Sequence, residues 1–221
     1  MEPWIIIGVL VVIAVITYLV MYSNPSSNGS RYDIIKGSVR GDVQRTERLA
    51  LPASYNQPQG LTYSYACWVL VKDFTVGYGT RRRIFSRGDA PGLYLDSTSN
   101  ALVVEVDTFG TKETILIPNI PAQKWVHFAL VVDQHSVDIY INGMLRQHQT
   151  LAQLPRLKDE AVTVGPGWSG VLARLAYWAR SISAEEVKRM AMEPIPDDME
   201  RRPSGPQYFD ITWYIGRLYS A

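Results

Sequence analysis

The stretch Glu105-Val106-Asp107-Thr108-Phe109 sets two carboxylates two residues apart. On a strand, that spacing puts both on one face. Paired carboxylates are the working groups of glycoside hydrolysis, where they must flank the scissile bond. Glu105 and Asp107 instead sit side by side, and the sequence offers no second carboxylate to oppose them. A solvated strand face is the competing reading of the same residues.

Other chemistry is sparse. His127, His135 and His148 lack metal-ligand spacing, and His127 lies in an alternating apolar run that packs it into a strand. Asp73, Asp89, Asp96 and Asp107 are scattered, whereas calcium needs about six to eight oxygens gathered together. No nucleophile-elbow, phosphate-loop or dinucleotide motif is present. We therefore expect no catalytic residue, no metal and no cofactor. Cys67 is the single cysteine, so no intrachain disulfide can form, which fits a reducing compartment. Arg87-Gly88-Asp89 spells an adhesion tripeptide, but a glycine at a turn has its own steric reason to be there.

Contact chemistry is better represented. Arg81-Arg82-Arg83 could meet lipid phosphate or an acidic partner, or simply lie in a solvated loop. Trp168, inside Gly165-Pro166-Gly167-Trp168, could stack on a sugar, fill a partner's pocket or pack into its own fold. Tyr208, Phe209, Trp213 and Tyr214 crowd a tail too apolar to be left free in water, so it either folds back or docks on a neighbour. Net charge is +1 over 221 residues, which gives no case for nucleic acid.

These groups need elements to position them. From Leu61 onward, short apolar runs recur between turn residues: 61–71, 82–87, 92–97, 101–108, 113–118, 125–133, 136–142 and 161–165. Many short strands with frequent turns indicate a sandwich or barrel. In 125–132, Val126, Phe128, Leu130 and Val132 share one face, while Trp125, His127, Ala129 and Val131 share the other. Asn142-Gly143 supplies two positions at positive φ, as a type I′ turn requires, so 125–148 reads as a three-stranded meander. Ser183 and Glu186 form a capping box before Val187, Met190 and Ala191, and Pro194 and Pro196 end the short helix.

The runs YACWVLV, IFSRGDAPGLYLD, KWVHFALVVD, VDIYINGML and GVLARLAYWARSISAEEVKRM, in that order, resemble the concanavalin A-like lectin/glucanase superfamily, especially its laminin-G-like and pentraxin-like branches. The resemblance covers about residues 61–192. It implies an all-β, antiparallel two-sheet jelly-roll sandwich, with carbohydrate, protein or adhesion partners more often than catalysis. In the glycosidase members the catalytic strand continues to a further carboxylate, and Phe109 stands at that place here.

The chain opens differently. Trp4 to Tyr22 carries no charge and as a helix would span about 28 Å, close to a bilayer's hydrocarbon thickness. Trp4, Tyr18 and Tyr22 sit near its ends, as interfacial aromatics do. The leader Met1-Glu2-Pro3 lacks the basic residues of a signal peptide, so an uncleaved transmembrane helix is expected. Arg31, Lys36 and Arg40 follow it, which places the C-terminal bulk on the cytoplasmic side of a single-pass membrane protein. The Asn28-Gly29-Ser30 sequon would then go unused.

The expected organisation is a transmembrane anchor at 1–22, a linker and juxtamembrane segment at 23–60, the jelly roll at 61–192 and a C-terminal extension at 193–221. The layout is similar to anchored minor capsid or virion membrane proteins of large icosahedral DNA viruses. It implies a structural protein tethering an inner membrane to a protein layer, with the lipid bilayer and other proteins of a larger assembly as partners. A membrane-anchored lectin that binds carbohydrate is the alternative, and a glycoside hydrolase is a third.

Overall fold

Alternate residues of the long strands turn into one core, as Tyr63, Tyr65, Cys67, Val69 and Val71 do. The computed structural model describes Val12, Val15 and residues 31–52 and 61–194. The strands are β1 (Arg31–Asp33), β2 (Ser38–Arg40), β3 (Arg45–Glu47), β4 (Thr62–Asp73), β5 (Arg82–Arg87), β6 (Gly92–Leu95) and β7 (Leu102–Val106). They continue with β8 (Glu113–Ile117), β9 (Trp125–Asp133), β10 (Ser136–Ile141), β11 (Met144–Thr150), β12 (Val162–Val164) and β13 (Ser169–Trp178). One helix follows, α1 (Ala184–Ala191).

These strands form two sheets. The first has the order β1-β13-β4-β9-β10-β11, with β2 also on β13. The second has the order β3-β12-β5-β6-β7-β8. Their central pairings are antiparallel. Tyr65, Cys67 and Val69 of β4 face Phe85, Leu93 and Val104 of the second sheet across one apolar core. The expected two-sheet antiparallel sandwich is therefore the observed one.

The meander forms as its alternation predicts. Asp133 pairs with Ser136 at the first turn, and Ile141 pairs with Met144 at the second. Asn142 and Gly143 take φ of 51° and 80°, the two positive values a type I′ turn needs. Val126, Phe128, Leu130 and Val132 enter the core. The opposite face is also buried, because α1 lies on it. Ala66, Ala129 and Ala176 on adjacent strands are small enough to let Val187 of α1 reach the sheet beside Tyr140 and Trp178. Burying a valine side chain contributes about 1.5–3 kcal/mol. The Ser183 hydroxyl accepts from the Glu186 N–H, and the Glu186 carboxylate accepts from the Ser183 N–H, which completes the capping box.

Strands also lie upstream of Leu61, in the stretch expected as linker and juxtamembrane segment. β2 pairs with β13 and β3 pairs with β12, so residues 38–47 contribute to both sheets. Strands of three residues are too short to show a period. The Arg87 guanidinium and the Tyr177 hydroxyl donate to the carbonyls of Leu51 and Pro52 and hold this segment against the sandwich.

Residues 1–31 form a separate unit. Of the expected transmembrane span only Val12 and Val15 are described; both are helical and exposed. The rest of the span lies outside the described residues. Among the described residues no helix is long and apolar enough to cross a membrane.

Candidate functional site

Leu102, Val104 and Val106 point into the core, so alternation turns Glu105 to the outer face of the second sheet. Asp107 follows in the same phase, held where its carbonyl accepts from the Arg156 N–H. Both carboxylates are nearly covered, at 7% exposure each. Their covers are cations. The Arg81 guanidinium lies 2.6 Å and the Lys112 ammonium 3.5 Å from the Glu105 carboxylate. Arg156 and Lys158 approach Asp107 at 3.0 and 3.8 Å. The side chains of Arg81, Lys112, Arg156 and Lys158 remain about 40% exposed, so each keeps donors facing water.

An aromatic ring organises one end of this row. Gly92 pairs with Glu105, and a Cβ at Gly92 would strike the Tyr94 ring at 2.6 Å. Glycine therefore lets the ring lie flat on the sheet, and the Arg81 guanidinium stacks over it at 4.5 Å. Burial and the nearby Glu105 charge raise the Tyr94 pKa. At the other end Phe109 is 70% exposed.

The three arginines of the basic run part company. Arg81 joins the outer row, and Arg83 stands beside Tyr94, its cross-strand partner. Arg82 turns inward to 2% exposure and donates to the carbonyls of Phe74, Val76 and Asp96, with burial lowering its pKa. Trp168 is fully buried, its indole clamped so closely that a Cβ at Gly41 or Gly170 would overlap it. It lies under a cleft of about 440 Å³ bordered by Arg40, Asp42, Lys72 and Val76. Arg87 of the adhesion tripeptide is also buried, at 2% exposure. Tyr208, Phe209, Trp213 and Tyr214 lie outside the described residues.

His127 packs edge-on against Trp68, and burial pushes its pKa down to about 4. Cys67 is buried, which raises its thiol pKa. Among the described residues no group of His, Cys, Asp and Glu is placed to hold a metal ion. Sequence reasoning found Glu105, Asp107 and Arg81 but missed Lys112, Arg156, Lys158 and Tyr94. The outward position of Tyr94 follows from inward Leu93 and Leu95, but the Asp107 pairings join residues about 50 apart in the chain and leave no local signal.

A family model described as concanavalin A-like lectin/glucanases superfamily matches residues 44–188. No curated protein matches the chain. Among solved structures, it is similar to the receptor binding domain of botulinum neurotoxin D, with TM-score 0.59 and 11% identity, covering 75% of this chain and 46% of that one. It is similar to a structure of botulinum neurotoxin type C, whose passage into cells depends on interaction with two ganglioside molecules, with TM-score 0.54 and 13% identity, covering 74% and 51%. The binding domain of Paraclostridial Mosquitocidal Protein 1 is also similar, with TM-score 0.51 and 16% identity, covering 76% and 48%. The chain thus spans about half the length of these structures, and at such identities the likeness is one of fold. The family match, which takes in well over half of the 221 residues, makes the conclusion plain: the chain belongs to the concanavalin A-like lectin/glucanases superfamily.

Proposed function

We propose that this protein is a membrane-anchored binding module that acts by contact and not by turnover, joining a bilayer to a layer of protein or glycan outside it. The observation that carries the non-catalytic part is the state of Glu105 and Asp107. Each carboxylate is engaged by two cations, and the two lie along one edge of chain. A glycosidase needs carboxyl groups on opposite sides of the scissile bond, each with an oxygen free for the substrate. The anchored part rests on the uncharged run from Trp4 to Tyr22. Reach comes from the polar linker Ser23–Ser30, and one span gives attachment that a surface contact does not.

Two kinds of partner suit this layout. A protein layer of a virion-type assembly is suggested by the likeness of this sequence layout, apolar run, polar linker, sandwich and aromatic tail, to anchored minor capsid proteins. A carbohydrate is favoured by the fold neighbour that interacts with gangliosides. The test is membrane extraction with partner capture. The full chain should stay with membranes through an alkaline wash, and deletion of residues 1–22 should release it. Cross-linking in the native membrane should then recover a constant partner set through the sandwich. A full chain that leaves the membrane in the wash would overturn the anchored reading, and a chain that cross-links to nothing would overturn the binding one.

A further inference from the structure

We infer that the outer face of the first sheet is a docking surface for this chain's own C-terminal segment, residues 195–221, whose aromatic cluster seats on Trp68, Leu70 and Val171. Alternation places these three on that face. Cys67, Val69, Val71 and Leu172 enter the core, so Trp68 and Leu70 of β4 and Val171 of β13 point the other way. The register sets them in neighbouring rows across β2, β13, β4 and β9. One row runs Ser38, Ala173, Trp68 and His127; the next runs Arg40, Val171, Leu70 and Trp125. α1 packs on the adjoining alanines, Ala66, Ala129 and Ala176. Trp68, Leu70 and Val171 are nonetheless only 6%, 3% and 2% exposed, and neither apolar cluster among the described residues includes them. A sheet face of this kind is closed by another element.

The path of the chain identifies the occupant. The end of α1 lies over the β10–β11 turn, where a Cβ at Gly143 would meet Ala191 at 3.1 Å. At Pro194 the chain has reached β13: the Arg174 guanidinium donates to the Pro194 carbonyl at 2.9 Å and lies 3.5 Å from the Glu193 carboxylate. β4 and β9 separate β13 from β10, so residues 191–194 have already crossed this face. The segment that follows carries Tyr208, Phe209, Trp213 and Tyr214. An extended residue spans about 3.3 Å and neighbouring strands lie about 4.8 Å apart, so these rings can reach every strand of the face from Pro194. The Ser38 hydroxyl and His127 Nδ1, buried at the two ends of one row, have no partner among the described residues. They suit the backbone N–H and C=O groups of a peptide laid along that row. A second copy would have to bring the same face, which α1 and residues 191–194 already occupy in part. A segment tethered at the border also has an effective concentration that a free partner lacks. The inference holds for either kind of partner of the binding module.

The test is hydroxyl-radical footprinting, read by mass spectrometry, at low and high protein concentration in mild detergent. It compares the full chain, a chain ending at Pro194, and the full chain carrying Phe209→Ser with Trp213→Ser. Trp168, buried in the core between the sheets, reports folding in every sample. In the full chain Trp68 should be protected as Trp168 is, at either concentration. In both variants Trp68 oxidation should rise about fivefold, the change from 6% exposure to an open sheet face, while Trp168 stays protected. A peptide of residues 195–221, added to the shortened chain, should restore the protection of Trp68. Equal protection of Trp68 in all three proteins overturns the inference. Protection of the full chain at high concentration alone gives the face to a second copy and overturns it as well. Oxidation of Trp168 rising together with Trp68 in both variants places the segment in the core between the sheets, not on the outer face, and also overturns it.

Discussion

Replacing Arg82 with methionine should unfold the sandwich early and leave ligand contact untouched. The guanidinium is 2% exposed and donates to the carbonyls of Phe74, Val76 and Asp96, which belong to two different loops. Gly77, at φ 71°, wraps so closely that a Cβ there would meet the Arg82 side chain at 2.9 Å. Methionine keeps the apolar stem but removes every donor. A buried acceptor left without a partner costs about 1–3 kcal/mol. Asp96 and Phe74 are half-buried and Val76 is exposed, so each carbonyl loses about 1 kcal/mol and the total is about 3 kcal/mol. For a domain of this size that is a fall in melting temperature of roughly 10 °C. Tryptophan fluorescence of the full chain in mild detergent reads it, with Arg81→Met and Arg83→Met in parallel. Those two should melt within a few degrees of wild type. An Arg82→Met protein that melts with wild type, or that folds normally and loses the ligand, would refute the structural role assigned to Arg82.

Four further outcomes follow from named groups. The unfolded chain protonates His127 near pH 6.5 and the folded chain only near 4, so acid favours unfolding across that window by about 3 kcal/mol at its end; His127→Phe should flatten the pH dependence of the melt between 6.5 and 4. The Arg180 guanidinium holds the Glu186 pKa down to about 2, so that contribution is present above pH 4.5 and lost as the pH falls toward 2, a window that meets the His127 window only between pH 4.5 and 4. Ser183→Ala should remove about 1 kcal/mol in urea unfolding by breaking the cap of α1. Gly143→Val should cost more than the cap, about 2 kcal/mol or above, because it strains a residue at φ 80° and brings a Cβ to 3.1 Å from Ala191 and Lys188.

Elements with a local signature were legible in the sequence. The alternation of 125–132, the Asn142-Gly143 turn and the Ser183–Glu186 box each state their structure in under ten residues, and each is formed. What escaped was set by distance along the chain. β1 to β3 are strands because β12 and β13 lie beside them, and three residues carry no pattern of their own. The burial of Trp125–Val131's outward face depends on α1, some fifty residues later. The same holds at the candidate site. Arg81, Arg82 and Arg83 look alike in sequence, yet a register shift between Arg83 and Phe85 and the loop carbonyls send Arg82 alone inward. The cover of Asp107 by Arg156 and Lys158 exists only once the 152–160 segment has been laid against β7.

On the binding role proposed above, the sandwich captures its partner and leaves it chemically unchanged. One experiment decides it: the membrane-reconstituted full chain is incubated with the partner recovered by cross-linking, and the recovered partner is then analysed by mass spectrometry. Saturable capture is expected, with the partner's mass, glycan chain length and reducing ends unchanged in wild type and in Glu105→Gln alike. New reducing ends that appear with wild type and vanish with Glu105→Gln would contradict it.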